Sequence, residues 1–127
     1  MRILLIEPDK LLAGSLQTYF ANANHTVLIY RDLQAAITAA DSQKPDVVIA
    51  ELQLAGRSGI EFLYEFRSYP DWQSLPVIIY TSISLEDLSA YADVFSDLNI
   101  AQVLHKSHTS LSQLLAATQQ SLTKAAA

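Results

Sequence analysis

The chain has 127 residues, half of them apolar, a net charge of −5 and no cysteine. That length suits one domain, which buries roughly two thirds of its unfolded surface, and the apolar share excludes a disordered chain. Without cysteine there is no disulfide, thiolate metal site or thiol nucleophile, and without a cluster of Lys and Arg this chain itself is not expected to bind nucleic acid.

The apolar run Ile3-Leu4-Leu5-Ile6 follows Met1 and is closed by Glu7. It is shorter than the core of an export signal, and no run approaches the length of a membrane span, so a cytoplasmic location is expected. The run is the first of five strands, the others being Val27–Tyr30, Val47–Ala50, Val77–Tyr80 and Ile100–Leu104. The first four are almost continuously apolar, as in strands buried on both faces of a parallel sheet. The fifth is mixed, with Gln102 inside it, and suits an edge.

Five helix-like stretches alternate with the strands. Leu12, Leu16, Tyr19 and Phe20 share the face of the first. Asp32 is placed to cap a second that carries Leu33, Ala36, Ile37 and Ala40. Ser58 and Glu61 have capping-box spacing before Phe62, Leu63 and Phe66. Ser84 and Asp87 resemble a weaker version of that box before a fourth helix with Leu88, Tyr91, Ala92 and Phe95. Thr109 or Ser110 can cap a fifth with Leu111, Leu114, Leu115 and Leu122, ending in a frayed tail at Lys124–Ala127. Strand–helix alternation with short links gives a three-layer α/β/α sandwich with a parallel sheet, and residues 1–127 read as a single domain.

Chemistry on such sheets gathers at the carboxyl ends of the strands. The first strand ends in Glu7-Pro8-Asp9, the third in Glu51-Leu52-Gln53, the fourth in Thr81-Ser82 and the fifth in His105-Lys106-Ser107. Acids, hydroxyls and a lysine therefore converge. Elsewhere signals are weaker. His25, His105 and His108 lack metal spacing, and Ser15, Ser82 and Ser84 lack a nucleophile elbow. Trp72, Tyr69 and Tyr64 are expected to cover the edge of the core, and Pro70 and Pro76 punctuate loops.

In order and spacing these segments resemble the receiver domains of bacterial response regulators. Residues Ile3–Asp9 resemble the opening strand and acid cluster, and Pro45–Gly59 the phosphoacceptor strand and its loop. Asp71–Ser82 resemble the approach to the switch hydroxyl, and Val103–Lys106 the last strand and its lysine. The resemblance implies a flavodoxin-like (CheY-like) fold, with five strands in the order 2-1-3-4-5 and five helices. It implies signalling by phosphoryl transfer from a histidine kinase to an aspartate, assisted by a divalent cation, rather than an enzyme.

Carried over residue by residue, the phosphoacceptor position is Glu51, where the family has Asp. The acidic pocket is Glu7 with Asp9, but Pro8 stands where the second acid is usual. The metal positions are Glu7, Glu51 and Gln53, with magnesium held weakly or not at all because Pro8 offers no carboxylate. The positions that contact the phosphoryl group are Thr81 and Lys106. Ser107 replaces the usual proline after that lysine, and Val103 replaces the aromatic switch residue.

Glu51 carries its carboxylate one methylene further than Asp would, and misplacing a reacting atom by about 1 Å can cost on the order of 100-fold in rate. Glu51 is thus open to two other roles: a partial imitation of a phosphorylated acceptor, or a partly buried ion pair with Lys106, of which the ion pair is favoured. The expected function is a degenerate receiver, a phosphorylation-independent protein-interaction module of a two-component phosphorelay. The alternatives are a conventional phosphoacceptor with weak magnesium-dependent phosphorylation and, less favoured, a flavodoxin-like ligand-binding or enzyme domain. The last is opposed by the acidic, glycine-free loop Glu7-Pro8-Asp9-Lys10, which repels phosphate. No tightly held cofactor is expected. Partners are a histidine kinase or a downstream effector, with the chain a monomer or weak homodimer. They are expected on the face of the fourth helix, fifth strand and fifth helix, where Tyr91, Phe95 and Val103 lie.

Overall fold

The computed structural model describes residues 1–31, 33–54 and 57–126. In chain order the elements are β1 (Arg2–Ile6), α1 (Lys10–Asn22), β2 (Thr26–Tyr30), α2 (Leu33–Ser42), β3 (Val47–Ala50), β4 (Gln53–Leu54) and β5 (Arg57–Ser58). There follow α3 (Gly59–Ser68), β6 (Val77–Thr81), α4 (Leu85–Ala90), α5 (Ala92–Asp97), β7 (Gln102–His105) and α6 (Leu111–Ala126), with short 3₁₀ turns at Pro70–Trp72 and Lys106–His108. Asp32, the expected cap of α2, and Ala127 at the end of the tail lie outside the described residues.

The main sheet is parallel, in the order β2-β1-β3-β6-β7. With the β4–β5 pair set aside this is the expected 2-1-3-4-5 order. The side-chain period of two divides each central strand between two cores. Leu4, Ile6, Val48, Ala50, Val77 and Ile79 face a core closed by α2, α3 and α5. Ile3, Leu5, Val47, Ile49, Ile78 and Tyr80 face one closed by α1 and α6. These are the three layers, and they explain why β1, β3 and β6 are continuous apolar runs.

Side-chain caps set the starts of the helices. Ser58 accepts from Ile60 N, and Ser84 from Asp87 N. Ser110 rather than Thr109 caps α6, in a reciprocal box: Gln113 N donates to Ser110 Oγ at 3.1 Å and Ser110 N donates to Gln113 Oε1 at 2.7 Å.

Three expectations are corrected and one strand pair is added. The fourth helix is two short helices, giving six α-helices among the described residues. The break at Tyr91 is a tightened turn in which Tyr91 N bonds Leu88 O, and α4 has no buried residue to hold it in line. The last strand starts at Gln102, not Ile100. Asn99 adopts φ 52, and the amides of Asn99 and Ile100 turn back to Ser96 O and Phe95 O, so Ile100 belongs to the helix stop. Trp72 lies in the core rather than at its edge, 2% exposed and stacked on Phe66 at 4.9 Å. The antiparallel β4–β5 pair, Gln53 with Ser58 and Leu54 with Arg57, was not anticipated.

Candidate functional site

Register brings the strand exits together. Ile6 pairs with Ala50, Ala50 with Ile79, and Thr81 with His105, so Glu7, Glu51, Thr81 and Lys106 leave neighbouring strands at one end of the sheet. Glu51 N donates to Ile6 O and Glu7 N to Tyr30 O, which extends the ladder one step into the site.

Glu51 is 3% exposed, and its carboxylate is surrounded by donors. Oε2 accepts from Leu52 N at 2.6 Å, from Gln53 N at 3.1 Å and from the Thr81 hydroxyl. Oε1 accepts from Lys106 Nζ at 2.9 Å and Ser82 N at 3.2 Å, with Ser82 Oγ at 3.4 Å. The single Ser82 hydroxyl proton is shared with Gln53 Oε1, 3.2 Å away. Lys106 Nζ also lies 2.7 Å from Glu7 Oε1, so one ammonium serves two buried carboxylates, with the Tyr80 ring centroid 5.9 Å away. The remaining Glu7 oxygen accepts from Asp9 N.

Burial alone would raise the pKa of Glu51, but hydrogen bonds from Lys106, Thr81 and Gln53 N outweigh it and hold the carboxyl below its ordinary value. Burial would lower the pKa of Lys106, and its bonds to Glu51 and Glu7 hold it above the usual range instead. Burial also raises the Tyr80 phenol, which donates to Thr109 O at 3.1 Å.

Asp9, expected in the acidic pocket, turns its carboxylate to the start of α1, where Oδ1 accepts from Leu11 N and Leu12 N. Gln53 contributes its amide N–H to Glu51 and its side-chain oxygen to Ser82. His105 accepts from Ser107 N through Nδ1, and no metal-holding group of three His, Cys, Asp or Glu occurs among the described residues. Sequence reasoning missed Ser82 as a donor and Gly59, whose Cα lies where any Cβ would sit 2.5 Å from Leu52 Cα. A glycine after a cap was the available signal for the second. The Ser82 and Leu52 amides have none, since every residue but proline carries one.

The family model for the response regulator receiver domain matches residues 3–119. The chain belongs to that family. As a receiver domain it is 30% identical over 96 residues to the KDP operon transcriptional regulatory protein KdpE of Escherichia coli, covering 75% of this chain and 41% of KdpE. It is 35% identical over 82 residues to the transcriptional regulatory protein QseB of Haemophilus influenzae, covering 65% and 36%. This receiver domain therefore spans about two fifths of the length of those relatives. The beryllofluoride-activated receiver domain of RstA from Klebsiella pneumoniae superposes with a TM-score of 0.82 at 20% identity, over 96% of this chain and 98% of that one, and shares its fold. No helix among the described residues is long and apolar enough to cross a membrane.

The family implies a magnesium ion among these acids, and the donor set does not fit one. A carboxylate has about four lone-pair directions. Six donor atoms already surround Glu51, and Glu7 is bonded to Lys106 and Asp9 N. Pro8 supplies no side-chain oxygen, and the Lys106 ammonium lies between the two carboxylates that would be the anionic ligands.

Proposed function

We propose that this receiver domain serves two-component signalling as a protein-interaction module that is not itself phosphorylated. One observation carries this: both oxygens of Glu51 are already hydrogen-bonded by backbone amides, hydroxyls and Lys106. To attack phosphorus, a carboxylate oxygen needs a free, in-line lone pair. Here it must first shed donors that are 2.6–3.2 Å away and fixed to the backbone. Glu51 is a fixed charge paired with Lys106 in this role. Thr81 and Lys106 in contact with Glu51 favour, as a second reading, a slow conventional acceptor.

The partner in this proposal is a histidine kinase or an effector domain in the cytoplasm, met on the side of α4, α5, β7 and α6 by a monomer or weak dimer. Val103 is exposed there, and α4 has no fully buried residue, packing on the core through half-buried Leu88. Incubation with acetyl phosphate or a purified kinase, followed by intact-mass measurement and hydroxylamine treatment, tests the role. The expected spectrum has no phosphoryl increment. A stoichiometric, hydroxylamine-labile adduct on Glu51 sinks the proposal in favour of the conventional acceptor.

A further inference from the structure

Three charges meet in the pocket, two carboxylates and one ammonium, and the distances say how they are arranged. Lys106 Nζ is 2.7 Å from Glu7 Oε1 and 2.9 Å from Glu51 Oε1, the lengths of charge-assisted hydrogen bonds. Glu7 and Glu51 are 2% and 3% exposed. Two buried carboxylates this close to a common point must share a proton, a metal ion or a fixed cation, because the unpaired charges are too costly to bury.

We propose that Lys106 is the resident cation of this pocket, holding by covalent attachment the place a divalent ion would need between Glu7 and Glu51. This rests on reading Glu51 as a fixed charge. Three features make the ammonium a sufficient replacement. It is tethered to β7 at the residue that follows the strand paired with Thr81, so it pays no loss of translational freedom on binding. It donates to both carboxylates at once, while Glu7 Oε2 is taken by Asp9 N and Glu51 Oε2 by Leu52 N, Gln53 N and Thr81. Pro8, the residue after Glu7 in the loop between β1 and α1, adds no ligand that would tilt the balance toward a metal, which demands near-octahedral oxygen coordination. The domain thus keeps one conformation of its acidic pocket whatever the magnesium level.

The consequence is that metal binding is latent and Lys106 suppresses it. Taking away the ammonium with an apolar chain of similar length leaves two buried carboxylates whose Oε1 atoms both faced it, and a divalent cation can then take up their charge. The experiment titrates Mn²⁺, read by the EPR signal of the free ion, into the full chain and into Lys106→Met, with Lys106→Gln as a second variant and circular dichroism to confirm folding. The wild type is expected to bind no Mn²⁺ at millimolar concentration and to melt at the same temperature in EDTA and in magnesium. A folded Lys106 variant is expected to bind Mn²⁺ with a dissociation constant roughly tenfold or more below the millimolar limit set for the wild type, with a melting temperature that rises with Mn²⁺, and Lys106→Met combined with Glu51→Gln to lose that gain. Sub-millimolar binding by the wild type overturns the proposal whatever the variants do. So does a folded Lys106→Met that binds no better than wild type. Neither outcome depends on the acetyl phosphate experiment: an adduct on Glu51 removes the phosphorylation-independent role and leaves the titration standing.

Discussion

Replacing Gly59 by alanine should destabilise the domain, although alanine is the better helix former. Gly59 is the first residue of α3, and its N–H donates to Leu52 O at 2.9 Å, so the helix starts in contact with the loop that follows β3. An added Cβ would lie 2.5 Å from Leu52 Cα, 2.8 Å from Leu52 O and 3.0 Å from Leu52 C. Favourable carbon contacts lie at about 3.5–4.0 Å. The overlap is with backbone, which cannot rotate aside as a side-chain tip can. Overpacking of this kind costs about 1–3 kcal/mol, and the helix-propensity gain offsets at most ~1 kcal/mol. The net loss is about 1–2 kcal/mol, and with a urea m-value of about 1–3 kcal/mol/M the midpoint falls by roughly 1 M. Gly14 is the internal control: it is exposed in the middle of α1 and an added Cβ meets nothing within 4 Å. Gly14→Ala should stabilise by about 0.5–1 kcal/mol. Urea unfolding followed through the fluorescence of Trp72, the single tryptophan and a buried one, measures both. If the two substitutions shift the midpoint in the same direction, the contact between Gly59 and Leu52 is not what decides the effect. The loop matters to the site as well, because Leu52 N is a donor to Glu51.

Two further outcomes are expected. Glu51 has its folded pKa lowered, so its contribution to stability is present above its ordinary value of 4.5 and is lost as pH falls through the folded value below it. Lys106 has its folded pKa raised, so its contribution is present below 10.5 and is lost as pH rises through the higher folded value. Melting temperature against pH should therefore drop at both ends, and Glu51→Gln should flatten the acid limb; an unchanged acid limb refutes the assignment. Arg67 donates to Leu98 O, Trp72 O, Leu75 O and Asn99 O at 2.6–3.1 Å and so ties the end of α3 to the loop before β7. Arg67→Met should lower stability by about 2–4 kcal/mol in urea unfolding, and Arg67→Lys should recover less than half of it, because an ammonium lacks the planar fork; full recovery by lysine would show that charge alone matters there.

Much of the fold was legible because its signals are local. The apolar runs of β1, β3 and β6 are long enough to identify buried strands, Ser58 and Ser84 mark helix starts by hydroxyl spacing, and Thr109-Ser110 marks a third without saying which of the two caps it. The convergence of Glu7, Glu51, Thr81 and Lys106 was legible too, since parallel order places all strand exits at one end. Other features rest on contacts that leave no pattern. The break at Tyr91 has no glycine or proline, and α4 is separated from α5 by a single tightened turn. The β4–β5 pair has two residues in each strand, too few for alternation to register. Asn24 and Asn99, at φ 67 and 52, could have been read as helix stops, and the second would have corrected the start of β7. Asp9 lies close to Glu7 in sequence, but the helix that begins at Lys10 claims its carboxylate.

The division between scaffold and site follows from what each requires. The scaffold needs apolar alternation and register, and Ile3–Ile6, Val47–Ala50 and Val77–Tyr80 supply both, whichever acid follows the strand. The site needs atoms placed to a fraction of an ångström, and one methylene in Glu51 changes which partners its oxygens reach. With that longer reach the carboxylate meets Leu52 N, Gln53 N, Thr81, Ser82 N and Lys106 together. Those are the groups a phosphoryl oxygen would need as donors. A hydroxyl and an ammonium already bonded to Glu51 are not free to follow a new charge, so arrival of a phosphoryl group would have to break bonds before it formed any. On the proposed reading, the hydroxyl and ammonium contacts that would move a loop on phosphorylation are already made in the resting structure. In the proposed role, the signal comes from the binding of a partner that distinguishes two arrangements of the exposed elements. Of these, α4 has no fully buried residue and meets the core through half-buried Leu88.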